Sequence, residues 1–197
     1  LYEGKPVGTP DAGAFWRVIR DHGVSVLFTA PTAIRAIKRD DPDGKHVAAD
    51  GIGSLRALFL AGERADPDTL RWAEAMLNVP VIDHWWQTEL GWPALAICLG
   101  LGETKTRHGS AGRPVPGNHF EVLGPDGRLV AIGETGDIVI RLPLAPGALT
   151  TLWQRAEQFR ASYLEAHPGY YTTGDAGLID AGGFVHVMSR IDDIINV

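Results

Sequence analysis

The chain has 197 residues, 45% of them hydrophobic, so it can bury a core in one large domain or two small ones. Its 18 Lys and Arg against 24 Asp and Glu give a net charge of −6, which excludes a general nucleic-acid binder because such proteins need a basic face to offset phosphate charge. A single cysteine excludes an internal disulfide and a zinc site with several cysteine ligands, and no apolar run is long enough to span a membrane.

The first half of the sequence alternates helix-like and strand-like stretches. Helices are predicted to begin at Thr9-Pro10, Pro31 and Asp66-Pro67, because Pro is favoured in the first turn and Thr or Asp caps the end before it. Short apolar stretches between and after these helices are typical of buried strands and lie at residues 24–28, 55–60 and 79–82. The alternation predicts an α/β part with a mostly parallel sheet over residues 1–107.

The pattern changes after about residue 108, where Gly and Pro become frequent and the segments become short. Pro125-Asp126-Gly127 and Asp180-Ala181-Gly182-Gly183 each separate two strand-like segments, which predicts two hairpins. A further strand is predicted at 136–141, and a helix interrupts the region with Trp153, Ala156, Phe159 and Tyr163 on one face. Residues 108–190 are therefore predicted to form a small, mainly antiparallel and barrel-like β subdomain.

The most informative stretch is Asp83-His84-Trp85-Trp86-Gln87-Thr88-Glu89, which directly follows a predicted strand. Ligands of open α/β sheets bind at the carboxyl ends of the strands, and this stretch supplies flat apolar walls and hydrogen-bonding groups. Thr88 could contact a phosphate oxygen, and Glu89 could help to hold Mg²⁺, which prefers oxygen ligands. The alternative is a Trp pair in the core followed by a polar loop, because Trp is often simply buried.

Three further stretches carry candidate binding groups. Asp175, expected in a turn within Tyr171-Thr172-Thr173-Gly174-Asp175, could accept two hydrogen bonds from a ribose diol or could bond its own backbone. Arg190 could bind ribose or phosphate oxygens through its guanidinium fork, and the nearby Asp192-Asp193 pair is either a metal site or a solvated charged end. In Ala61-Gly62-Glu63-Arg64, Gly62 would allow a ligand close to the backbone, although such a turn after a strand is also ordinary.

Taken together, the order and spacing of these motifs resemble the adenylate-forming superfamily, which contains acyl-CoA synthetases, peptide-synthetase adenylation domains and luciferases. The Trp-Trp-Gln-Thr-Glu form at residues 85–89 is similar to the acetyl- and propionyl-CoA synthetase branch. Four other segments match that branch: residues 28–33, 61–63, 109–114 and 133–137. The resemblance covers nearly the whole chain and implies an internal section of the large AMP-binding domain.

The resemblance implies a nucleotide pocket and a role for each residue in it. Its adenine side would be lined by Gly62, Glu63, Arg64, Asp83, His84, Trp85 and Gln87. Arg64 stands where the family usually has Pro, which leaves that contact open.

The catalytic residues implied by the resemblance are Thr88, facing the α-phosphate, and Glu89, assisting Mg²⁺. Asp175 would bind the ribose hydroxyls, with Arg190 near the ribose and phosphate. Asp192 would be the hinge residue, within residues 191–197, on which a C-terminal domain turns; this role replaces the metal-site alternative for the Asp pair.

The implied reaction joins a short-chain carboxylate to ATP with release of pyrophosphate, after which CoA takes the acyl group and AMP leaves. Trp86 would form a wall of the acyl pocket, and Ala61, smaller than the Val typical of acetate enzymes, favours propionate over acetate.

The expected cofactors and substrates are ATP, Mg²⁺, CoA and the carboxylate, with no nucleic acid and no membrane partner. A cytoplasmic location is expected. Because the chain opens on Leu1 without Met, the presence of a targeting segment is left undecided. Oligomeric state is left undecided.

Two parts expected of this family are not in the sequence: a Ser/Thr/Gly-rich phosphate loop upstream and a catalytic Lys in a C-terminal domain. The 197 residues are therefore expected to complete neither half-reaction, although they could bind adenosine or AMP weakly. One alternative is a non-catalytic nucleotide-binding module. The other is an adenylation domain that loads a carrier protein, against which the double Trp argues because amino-acid pockets need more room.

Overall fold

The computed structural model describes residues 5–191, without the side chains of residues 49 and 50. The described chain forms two compact units, residues 5–83 with 104–109 and residues 84–103 with 110–191. The subdomain boundaries predicted from the sequence, 1–107 and 108–190, remain a prediction. Asp192 and the rest of the predicted hinge lie outside the described residues.

The first unit contains a parallel sheet with strand order β1-β2-β3 and helices α1 to α4. The elements are α1 Ala14–His22, β1 Val26–Thr29, α2 Pro31–Asp40, α3 Lys45–Asp50, β2 Ala57–Leu60, α4 Pro67–Leu77 and β3 Val81–Asp83. The parallel α/β part predicted from the alternation is confirmed, while α3 was not predicted.

Local side-chain contacts explain where the helices of this unit begin. α4 begins after Asp66, as predicted, because the Asp66 carboxylate accepts a hydrogen bond from the N–H of Thr69 (2.8 Å) and satisfies an amide of the first turn. The start of α1 was predicted too early. Asp11 accepts hydrogen bonds from the N–H of Gly13 (2.8 Å) and from the Arg17 guanidinium (2.9 Å), and these bonds close a turn before the helix.

The core of the first unit is built from apolar side chains of its helices and sheet. Trp16, Ile34, Ile37 and Leu58 are completely buried in it. Burying an aliphatic side chain of this size stabilises a fold by about 1.5–3 kcal/mol relative to leaving it exposed. This core packs against the sheet, whose strand ends carry several predicted site residues.

The second unit contains a two-stranded and a four-stranded sheet, both antiparallel, and the helix α5. The elements are β4 Leu95–Ala96, β5 Arg113–Pro114, β6 Phe120–Leu123, β7 Gly136–Arg141, α5 Ala156–Tyr163, β8 Tyr170–Ile179 and β9 Val185–Arg190. The larger sheet has the linear order β6-β7-β8-β9. The mainly antiparallel prediction is confirmed. Within residues 5–191 no pairing joins β6 to β9, so the sheet is not a closed barrel.

Two local predictions for the second unit were wrong. β8 begins at Tyr170, so the segment containing Asp175 lies in a strand and not in a turn. The reason is pairing with β7, in which Tyr171 and Thr172 lie opposite Ile140 and Val139, and Tyr and Thr suit a pleated surface. Trp153 lies before α5 rather than on its apolar face and is 87% exposed.

None of the helices in the described part of the chain is both long and apolar enough to cross a membrane.

Candidate functional site

The predicted site residues of the first unit lie at the carboxyl ends of its strands. Ala61 directly follows β2, is 6% exposed, and donates its N–H to the carbonyl of Thr29 at the end of β1 (3.3 Å). Asp83 is the last residue of β3 and pairs with Leu60 of β2. The three strands are parallel, so these residues share the edge of the sheet at which ligands of such folds bind.

Glu63 is tied to α2. Its Oε1 accepts hydrogen bonds from the Thr32 hydroxyl (2.6 Å) and from the Arg35 guanidinium (2.6 Å). The Thr32 hydrogen bond first, and the Arg35 contact after it, hold the pKa of Glu63 below its usual value, so this side chain is ionised at neutral pH. With the carboxylate engaged by α2, the segment would meet a ligand through its backbone, which is open at Gly62 (φ +102°). Arg64 is exposed.

The two adjacent tryptophans of the second unit differ in exposure. Trp85 exchanges backbone hydrogen bonds with Leu95 and packs edge-to-face on Phe120, with ring centroids 5.7 Å apart. Trp86 is 41% exposed. His84 before them is buried. Trp85 is therefore half-buried against the core of the second unit and Trp86 is exposed, so neither ring is fully buried as the alternative of a core Trp pair requires.

Gln87 joins this motif to β8. Its Nε2 donates to the carbonyl of Thr173 (2.7 Å) and to Oδ2 of Asp175 (3.0 Å), and its Oε1 accepts from the Tyr171 hydroxyl (2.9 Å). Asp175 is only 5% exposed. The fold therefore brings together two candidate residues, Gln87 and Asp175, from motifs that are far apart in sequence.

Arg190 lies beside Asp175 on the neighbouring strand. The two residues are paired in the β8–β9 register, and the Arg190 guanidinium lies over Gly174, where an added Cβ would come within 3.1 Å of Nη2. Gly174 also has a φ of +75°, which favours glycine. The absence of a Cβ at Gly174 thus leaves room for the Arg190 guanidinium beside the Thr-Gly-Asp segment.

Thr88 and Glu89 form a short 3₁₀ turn that ends at Leu90. Thr88 is exposed, whereas Glu89 is half-buried and its Oε1 accepts a hydrogen bond from the Tyr163 hydroxyl (2.8 Å). That hydrogen bond, together with burial, raises the pKa of Tyr163. Tyr163 therefore stays protonated and serves as a donor to Glu89.

Tyr163 and Tyr171 stack on each other, with ring centroids 5.4 Å apart and planes 7° apart. Burial, and after it the charge of Glu89, raises the pKa of Tyr171. Neither tyrosine was predicted from the sequence to have a site role. The signal available was weak: Tyr171 adjoins the Thr-Gly-Asp segment, and Tyr163 ends a predicted helix.

A model of the AMP-binding enzyme family matches residues 2–147, about three quarters of the chain. The chain belongs to this family. It is 52% identical over 198 residues to the acyl-CoA synthetase short-chain family member 3, mitochondrial, of Bos taurus, and 40% identical over 200 residues to the propionate–CoA ligase of Escherichia coli (strain K12). All of this chain is covered in both comparisons, but it spans only 29% and 31% of the relatives' lengths. The resemblance inferred from the motifs is confirmed.

The fold of this AMP-binding enzyme section is also found in a solved structure. The crystal structure of an anthranilate CoA ligase in complex with anthranoyl-AMP matches the whole chain and 35% of that ligase, with a TM-score of 0.80 at 24% identity. The match confirms the α/β and antiparallel β architecture.

Glu89 is the carboxylate that the family resemblance assigns to Mg²⁺. Among residues 5–191, no group of three or more His, Cys, Asp or Glu side chains could hold a metal ion. Mg²⁺ is usually bound through one or two carboxylates, with substrate phosphates and water completing its shell. A single half-buried carboxylate such as Glu89 therefore fits an ion that arrives with nucleotide phosphates, and does not fit a resident metal centre.

Proposed function

We propose that this chain is the section of an AMP-forming acyl-CoA synthetase that carries the adenine, ribose and acyl walls of the active site. The contact between Gln87 and the buried Asp175 carries the proposal, because it joins the Trp-Trp-Gln-Thr-Glu and Thr-Gly-Asp motifs. Membership of the AMP-binding enzyme family and the names of the relatives support it.

In the proposed reaction, a carboxylate oxygen attacks the α-phosphorus of ATP, a P–O bond forms, and pyrophosphate leaves. The thiol of CoA then attacks the acyl carbonyl, and AMP leaves. The first step brings two anions together, so catalysis must come from positioning and charge neutralisation.

The side chains of this section have matching chemistry. The exposed Thr88 hydroxyl would donate to the α-phosphate, Arg190 would add positive charge, and Asp175 would accept hydrogen bonds from the ribose diol. Glu89 would be the protein ligand of Mg²⁺, which would supply charge against the phosphate repulsion. The resemblance assigns the backbone at Gly62 and residues 83–87 to adenine.

We infer that the acyl substrate is short and that propionate is preferred to acetate. Ala61 is buried and small, Trp86 is exposed, and the resemblance assigns both to the acyl pocket. The 40% identity to a propionate–CoA ligase supports this preference. One methylene in an apolar pocket is worth about 1–3 kcal/mol.

The test of this preference is Ala61→Val in the full-length protein, with Ala61→Gly as the matched control that adds no volume. The ratio of kcat/KM for propionate over acetate is expected to fall by about tenfold or more in the Val variant and not in the Gly variant. An unchanged ratio in Ala61→Val would show that Ala61 does not line the acyl pocket.

The reaction type is tested by incubating the full-length protein with ATP, Mg²⁺, CoA and propionate and separating the products. Equal amounts of AMP and propionyl-CoA are expected. Nucleotide binding without turnover would favour the alternative of a non-catalytic module. AMP formation that depends on a carrier protein and not on CoA would favour the carrier-loading alternative. The cytoplasmic location remains a prediction, because a relative at 52% identity is named as mitochondrial.

A further inference from the structure

The stacked tyrosines connect two carboxylates that are separate in sequence. Tyr163 donates its hydroxyl to Glu89, and Tyr171 donates its hydroxyl to Gln87, which in turn donates to Asp175. The two rings lie against each other at 5.4 Å with nearly parallel planes. A continuous path of contacts therefore runs from Glu89 through the rings to Asp175.

Both rings are held in place from more than one side. Tyr171 is 1% exposed and lies in the core of the second unit. Tyr163 is also packed on the buried Phe159, with ring centroids 5.4 Å apart. A tyrosine has only two side-chain torsions, so a ring held in this way places its hydroxyl firmly.

The Tyr171 hydroxyl holds the oxygen end of the Gln87 amide. Its hydrogen bond to Oε1 completes the set of contacts in which Nε2 donates to Asp175 and to the carbonyl of Thr173. A carboxylate and a carbonyl can only accept hydrogen bonds, so the opposite amide orientation would set oxygen against oxygen. Removing the hydroxyl would leave the amide less firmly oriented.

We propose that the Tyr163–Tyr171 pair positions both site carboxylates for nucleotide binding, Glu89 directly and Asp175 through Gln87. The inference rests on the proposed function, which gives Asp175 the ribose and Glu89 the magnesium ion. Both tyrosines act through other residues and are positioning residues.

The positioning of Asp175 is tested by measuring the binding of AMP, 2′-deoxyAMP and 3′-deoxyAMP to the full-length protein by calorimetry. Tyr171→Phe keeps the ring stack and removes only the hydroxyl. It is expected to narrow the affinity advantage of AMP over the deoxy nucleotides by about 3–10-fold, the size of one hydrogen bond. Equal weakening of all three nucleotides, or no change, would overturn the positioning role of Tyr171.

The matched control is Tyr170→Phe. Tyr170 is the neighbouring residue in β8, and its hydroxyl donates to Glu121 (2.6 Å) instead of to the site. Tyr170→Phe is expected to leave the affinity advantage of AMP over the deoxy nucleotides at the wild-type value. A preference that narrows as much in Tyr170→Phe as in Tyr171→Phe would count against a specific role for the stacked pair.

The positioning of Glu89 is tested with Tyr163→Phe. Mg²⁺ is titrated into the full-length protein with ATP, in the absence of carboxylate and CoA, and ATP binding is measured. The Mg²⁺ concentration for half-maximal binding is expected to rise about 3–10-fold, while AMP affinity without Mg²⁺ stays unchanged. An unchanged Mg²⁺ requirement would overturn the positioning of Glu89.

Asp175→Asn and Glu89→Gln in the same assays distinguish the ligand assignments of the two carboxylates from the positioning role of the two tyrosines. If Asp175→Asn leaves the AMP preference intact, the ribose assignment itself fails. If Asp175→Asn narrows the preference and Tyr171→Phe does not, only the positioning role fails. The same comparison applies to Glu89→Gln and Tyr163→Phe in the Mg²⁺ titration.

Discussion

Replacing Gly177 with Ala is expected to separate β8 from β9. A Cβ at this position would lie 2.1 Å from the backbone carbonyl oxygen of His186 and 2.7 Å from Cδ1 of Ile138. The Ile138 side chain can turn away, but the carbonyl belongs to the β9 backbone, so the strands must part. Overpacking of a buried position costs about 1–3 kcal/mol, and lost strand hydrogen bonds add about 1 kcal/mol each, so about 2–4 kcal/mol is expected.

The assay is hydrogen–deuterium exchange of peptides from β8 and β9. A local loss of about 2–4 kcal/mol corresponds to amides that exchange about 30–1000-fold faster, and AMP affinity should fall because β9 carries Arg190 beside Asp175. Gly100→Ala is the matched control, since its Cβ would meet no atom within 4 Å and its φ is not positive. Exchange in Gly177→Ala that equals the Gly100→Ala control would refute the reasoning.

Two further predictions concern the first unit. Asp66→Ala is expected to destabilise α4 by about 1 kcal/mol, because the cap of its first turn is lost. Asp66→Asn should retain most of the stability, since Asn also caps helices. Equal melting temperatures for the two variants would contradict this expectation. The α2 contacts of Glu63 lower its pKa in the folded state, so they stabilise the fold fully above its ordinary pKa of 4.5 and cease to do so as pH falls through the lower folded value. The difference in melting temperature between wild type and Glu63→Gln should therefore shrink from pH 7 to pH 3, and a pH-independent difference would count against it.

Elements with local boundary signals could be predicted from the sequence nearly to the residue. α4 is an example, because Asp66-Pro67 supplies both the cap and the first-turn proline, and β7 has the predicted bounds of 136–141. The start of β8 could not be predicted in this way, because its first residues are strand only through pairing with β7. α3 is a short helix of six residues with no apolar periodicity to reveal it.

Candidate site residues could be named from the sequence, but the contacts between them could not. The resemblance to a known family pointed to Gln87, Glu89, Asp175 and Arg190, but it does not state that Gln87 donates to Asp175 across 88 residues of sequence. The contact of Tyr163 with Glu89 was not predicted because the two residues meet only once α5 and the 3₁₀ turn are folded together. Such contacts depend on tertiary structure, for which the sequence offers no local signal.

The central claim is that Asp175 belongs to the nucleotide site of an AMP-forming synthetase. It is tested most directly by propionate-dependent exchange of pyrophosphate into ATP, measured for the full-length protein and its Asp175→Asn variant. Asp126→Asn, in the exposed turn after β6, is the matched control. Exchange is expected in the wild type and the control and about 10–100-fold less in Asp175→Asn, the size of one hydrogen bond to a charged group. No exchange in the wild type, or equal exchange in all three proteins, would contradict the account.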